Sequence, residues 1–186
     1  IKRNYMTWME DSENRPLLCP DFFKKKIFPM LDNDEKVFFI LIDNFRLDQW
    51  KVVKELLSEY FTYDESLYYS ILPTATKYAR NAIFSGLMPQ QIAKLFPELC
   101  VDEDSEEGKN LNEAPLIQTQ IERFRKKYSF SYNKVYDSEH GEKLITSIPQ
   151  LMHNQLNVVV LNFVDMLSHA RTESKTIREL AQTEAA

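Results

Sequence analysis

The chain has 186 residues and a formal charge of −5, mild and spread along its length, so no basic footprint advertises duplex nucleic acid. Three glycines and the lack of a low-complexity run exclude a disordered chain, and the length suffices to bury a core in one domain. No apolar run approaches the length of a membrane span, and Ile1-Lys-Arg-Asn is not a signal peptide. Cys19 and Cys100 lie far apart without metal-type spacing, so a reduced, cytoplasmic setting is expected.

In chain order, residues 1–10 read as the end of a helix arriving from upstream, with Tyr5, Trp8 and Met9 as groups that should pack. A start at Ile1 rather than Met gives the expectation of an excised piece. Residues 11–20 form a linker by their Asp, Ser, Asn and Pro content. A helix is expected from Asp21 through Phe22, Phe23, Ile27 and Phe28, bent or ended by Pro29, and residues 31–35 form a turn. The unbroken apolar run 37–42 suits a strand buried on both faces of a parallel sheet. Asp43-Asn44 follows at once, and then an amphipathic helix over 45–60 carried by Leu47, Trp50, Val53, Leu56, Leu57 and Tyr60.

Residues 62–72 are aromatic and β-rich, and they lead into Pro73-Thr-Ala-Thr76. From there Ala75, Ala79, Ala82 and Ile83 recur at helical spacing until Gly86, with Pro89 beyond as a stop. A short helix is expected over 89–96, an acidic surface loop over 101–113, and a helix over 114–127. That helix ends in Arg123, Arg125, Lys126 and Lys127, read as a solvated helix end or a phosphate-binding cluster. A strand over 132–136 precedes a helix over 142–154 that Pro149 should interrupt. The second buried-type strand runs over 158–164 to Asp165, and a polar helix is expected over 172–183. Strands alternating with helices give an α/β three-layer domain with a mostly parallel sheet.

The chemistry falls at strand ends, because ligands of open parallel sheets bind outside the carboxyl edge. Asp43 and Asp165 each close a strand, and His169 follows Asp165 at a spacing that shares a helix face and suits a divalent metal. Thr76 sits at a helix start, where free amides and the positive dipole end favour an anion. Plainer readings stand beside these: Thr74 or Thr76 as an N-cap, Asp43 as a turn residue, Asp165 as a helix-start acid.

Three stretches carry a resemblance. Leu41-Ile-Asp-Asn-Phe-Arg-Leu-Asp-Gln-Trp50, Leu72-Pro-Thr-Ala-Thr-Lys-Tyr-Ala-Arg-Asn81 with Phe-Ser-Gly-Leu-Met-Pro89, and Asp165-Met-Leu-Ser-His169 together resemble the PglZ branch of the alkaline phosphatase superfamily. The match is closest to the PglZ output domain of PorX-type response regulators. The resemblance implies an N-terminal part of that domain over 21–186, incomplete, with 1–20 as the end of a helical linker.

It further implies Thr76 as nucleophile and metal contact, Asp43 as a ligand of the same metal, and Asp165 with His169 as ligands of a second. Two zinc ions about 3.5–4 Å apart would activate the threonine and the attacking water, since an unassisted threonine is a poor nucleophile. Arg80, one turn past Thr76, is read either as a phosphate contact or as a solvated surface residue.

The superfamily's later Asp-His pair and third histidine have no counterpart in this chain. His140, in a segment read as a loop, and His153, read as surface, do not replace them. The implied activity is a metal-dependent phosphodiesterase on nucleotides or oligonucleotides that regulates type IX secretion. The implied partners are an upstream receiver, a sensor kinase and a phosphorylation-dependent second copy. The alternative is a non-catalytic signalling module with a structural metal site.

Overall fold

The computed structural model describes residues 3–99 and 112–173, with side-chain surroundings given as far as Ser168. Cys100, most of the acidic stretch, the side chain of His169 and the polar run beyond Glu173 lie outside the described residues.

The described elements are α1 (Tyr5–Glu10), a 3-10 turn (Cys19–Asp21), a π-helix (Phe23–Ile27), α2 (Phe28–Asp32), β1 (Val37–Ile42), α3 (Leu47–Leu57), α4 (Thr76–Ser85), α5 (Pro89–Leu95), a 3-10 turn (Pro97–Leu99), α6 (Glu113–Arg123), β2 (Phe130–Val135), α7 (Ser138–Leu151), β3 (Leu156–Leu161) and α8 (Phe163–Glu173). The protein is α/β. Two compact units interleave along the chain: residues 1–33 with 65–127, and residues 34–64 with 128–186.

The second unit is built on a three-stranded parallel sheet in the order β1-β3-β2. Central β3 is buried over Leu156 to Val160, which explains its unbroken apolar run. Its one buried polar group, Asn157, accepts from Ser131 at 2.8 Å on the neighbouring strand and from Asn154 at 3.3 Å. A polar rung of that kind penalises a slipped register. β1 was expected to be buried on both faces, but among the described residues it pairs with β3 only, and Phe38 and Ile40 are exposed.

The first unit is helical. Leu18, Phe23, Phe28, Ile71, Phe84 and Leu116 form part of its core, in which Phe23 meets both Phe28 and Phe84 edge-on. Helix α1 packs onto it: the Trp8 and Tyr69 rings are 5.1 Å apart, and the Leu72 amide donates to the Tyr5 hydroxyl at 2.7 Å. Burial pushes the Cys19 thiol up from its ordinary range, and its sulfur accepts from the Ile71 amide.

Several expectations are corrected. Residues 62–72 form no strand, only a single bridge from Tyr69 to Leu18. Pro29 does not end the second helical stretch, because the ladder has already loosened to a π-helix before it and continues as α2. Pro149 does not interrupt α7, which starts earlier than expected, at Ser138, under an Asp137 cap. His140 is therefore a first-turn helix residue rather than a loop residue. β3 stops at Leu161, and Phe163 already begins α8.

Candidate active site

In the sheet unit, β1 and β3 end side by side, with Ile42 paired to Leu161. Asp43 follows β1 directly, and its amide still donates to Leu161 O at 3.0 Å, so the ladder holds its backbone. The chain then turns at Asn44, whose φ of 56° is left-handed and suits asparagine. Beyond β3, the Asn162 amide donates to Val135 O and its carbonyl accepts the Met166 amide, which opens α8. Asp165 thus lies in the first turn of α8, four residues past the observed strand end at Leu161, where an acid also complements the helix dipole. Asp43 and Asp165 are both half-buried.

Two carboxylates therefore rise from adjacent parallel strands at their shared carboxyl edge, the place where open sheets bind ligands. They supply oxygen donors of the type a divalent metal takes. Among the described residues no group of three or more His, Cys, Asp or Glu side chains is gathered around a common point. His169 on α8 falls where side chains are not described.

In the helical unit, Thr76 is the first residue of α4, half-buried, while Thr74 is exposed. The N-cap position belongs to Ala75, so neither threonine fills the capping role that the plainer reading gave it. A cis Leu72-Pro73 peptide precedes the turn. At the other end, Gly86 closes α4 at φ 65°, and a Cβ there would stand 2.2 Å from Gln120 Nε2. The left-handed backbone favours glycine there, and a side chain would also have to displace the Gln120 amide of α6.

Arg80 is only 4% exposed, which corrects the reading of it as a solvated surface residue. Its Nε and Nη2 donate to the two carboxylate oxygens of Glu113, each at 2.7 Å, a bidentate fork across α4 and α6. Glu113 is fully buried at the start of α6, not the end of a surface loop. Arg80 is in phase with Ile83 and Phe84 on the buried face of α4, a spacing that marks it as interior. Sequence reasoning missed Glu113, although it shares a helical phase with Leu116, Ile117 and Gln120. Arg123 donates to Ser85 O on the same seam. His140 pairs with Asp137 at 2.7 Å, and His153 is exposed.

A family model described as the BREX system PglZ alkaline phosphatase-like domain matches residues 22–186. The chain belongs to the PglZ family. Membership places it in the alkaline phosphatase superfamily, whose activity is phosphoester hydrolysis and whose members typically use metal ions. A search of curated proteins found no match. No described helix is long and apolar enough to cross a membrane.

Proposed function

We propose that this PglZ domain is a zinc-dependent phosphodiesterase acting on nucleotides or short oligonucleotides, with Thr76 as nucleophile. The observation that carries it is the position of Thr76 as first residue of α4 with Ala75 at the cap. That leaves the threonine at the electropositive helix start without the structural duty that would otherwise explain it. Asp43 and Asp165 are the carboxylates that would hold metal at the sheet edge, and His169 is the implied imidazole. Bound metal supplies a Lewis acid that lowers the pKa of a coordinated hydroxyl and offsets charge on phosphorus oxygens.

The chain's own part is covalent. Thr76 Oγ gives up its proton and forms a bond to phosphorus as the leaving alkoxide departs. Water then cleaves the phosphothreonyl ester and restores the hydroxyl.

The wider role rests on the resemblance of residues 41–50 and 72–81 to PorX-type regulators. On that reading residues 1–20 are the end of a linker from a receiver, and a sensor kinase phosphorylates that receiver. A phosphorylation-dependent homodimer then controls the domain, in the cytoplasm, in regulation of type IX secretion.

The test is hydrolysis of bis-p-nitrophenyl phosphate with zinc, in protein that also supplies the later Asp-His pair and third histidine that the resemblance implies. Thr76→Ala should lower kcat by on the order of a thousandfold or more, while Thr74→Ala should change it by less than about tenfold. A purely structural role at the helix start would cost both variants a similar amount, about 1 kcal/mol of stability. Turnover retained in folded, metal-loaded Thr76→Ala would instead favour a signalling module with a structural metal site.

A further inference from the structure

Two positive runs that are far apart in sequence belong to neighbouring elements of the helical unit: Lys24-Lys25-Lys26 on the π-helix, of which Lys24 lies against Phe124, and the cations that close α6. Two contacts clamp them together. The Phe28 and Phe124 rings pack edge-on at 5.4 Å, with Lys24 Nζ 5.9 Å from the centre of the Phe124 ring. Lys126 reaches Asp32 at 2.6 Å, so that cation and that acid are engaged with each other. Lys24, Lys25, Lys26, Arg125 and Lys127 are all exposed.

Among the described residues, the nearby acids are largely engaged. Asp21 is held by Arg15, and Glu122 accepts from Gln118, leaving Glu122 as the local carboxylate in the last turn of α6. Arg125 has a left-handed φ of 56°, at the position after a helix where glycine is usual. Its amide bonds Glu122 O and the Lys126 amide bonds Ile121 O, which fixes the turn.

Helix-dipole complementarity accounts for the α6 cations by themselves. It does not account for a tri-lysine run packed against them, an arrangement that adds like-charge repulsion. We propose that this face binds the phosphodiester backbone of single-stranded nucleic acid, as a docking surface for extended substrate. Exposed cations dispersed over two segments suit charge repeated along a ligand better than one phosphate group. The choice of nucleic acid over an acidic peptide rests on the phosphoesterase reading above.

The experiment is fluorescence anisotropy of a labelled oligothymidylate over a salt series. It uses the whole chain and a variant carrying Lys24→Ser, Lys25→Ser, Lys26→Ser, Arg125→Gly and Lys127→Ser. Arg125→Gly suits the left-handed backbone, and thermal melting confirms folding of the variant. The native chain should bind with log K falling linearly against log salt, by about 0.7 per contacted phosphate. The variant should bind at least about tenfold more weakly at low salt with a shallower slope, while bis-p-nitrophenyl phosphate turnover is unchanged.

Equal affinity and slope in the variant would overturn the proposal. So would equal binding of polyglutamate by the native chain, which would mark an acidic-peptide surface. Patch-dependent oligonucleotide binding, with no diester hydrolysis once the later Asp-His pair and third histidine are supplied, would leave this inference standing and remove the phosphoesterase reading instead.

Discussion

Strand β3 buries Leu156, Val158, Val159 and Val160 with Asn157 as the lone polar group among them; its Oδ1 accepts two hydrogen bonds, while its Nδ2 has no partner among the described residues. The seam between α4 and α6 instead buries Arg80, Glu113, Gln120 and Ser85 among its apolar side chains. The sheet unit is thus held by a non-directional effect that tolerates small shifts. The helical unit is held at one place by a charge pair that works in one geometry only. Gln120 sharpens the contrast. Among the described residues neither end of its buried amide has a hydrogen-bond partner, and the amide fills the space that a Cβ at Gly86 would enter.

The largest expected effect tests the seam. Glu113→Ala would strand the buried Arg80 guanidinium and should cost about 3–5 kcal/mol in urea unfolding. The double replacement Arg80→Met with Glu113→Leu should be far milder, within about 1 kcal/mol of the native chain or more stable, because desolvation of both charges is then removed. A Glu113→Ala cost no greater than that of the double replacement would show that the pair carries little of the seam.

The matching test in the sheet unit is Leu156→Ala, which should cost about 2–4 kcal/mol through lost burial and the cavity left behind. Ile40→Ala on β1, where the side chain is 56% exposed, should cost less than about 1 kcal/mol. Equal costs at the two positions would mean that β1 is covered in solution as fully as β3.

This difference also governs what could be read from the sequence. β1 falls on the residues expected, and β3 was found as a buried parallel strand, because a continuous apolar run is a one-dimensional signal. Its end was misjudged because Phe163 and Val164 are as apolar as the strand, while the switch from strand to helix is set by the Asn162 hydrogen bonds. The start of α4 at Thr76 and its stop at Gly86 were likewise local and legible. The Arg80–Glu113 pair was not, since it joins residues 33 apart in sequence and nothing local names the partner. Arg80 read as a phosphate contact or a solvated residue because arginine usually is exposed, although its phase with Ile83 and Phe84 pointed inward. The gathering of Lys24 to Lys26 beside α6 was invisible for the same reason: it depends on Phe28 meeting Phe124.

The smallest effect concerns how an exposed end of the sheet unit differs from both cores. Asp137 caps α7: its Oδ1 accepts the His140 amide at 2.9 Å and lies 2.7 Å from His140 Nδ1. The amide bond, then the ring contact, hold its carboxyl below the ordinary aspartate value of 3.8. The folded state therefore favours the charged form. The stabilisation is complete above 3.8, and it is lost as pH falls below that point through the lowered folded value.

Hydrogen exchange at the His140 and Gly141 amides, corrected for intrinsic rates, should show protection falling only in that acidic window. The amides of β3 should stay protected there, because their ladder bonds run to β1 and β2 backbone, which does not titrate. In Asp137→Asn the cap remains but cannot titrate, so the acid-dependent loss at α7 should flatten. The same loss of protection in native chain and variant would assign the acid sensitivity of α7 to some other group.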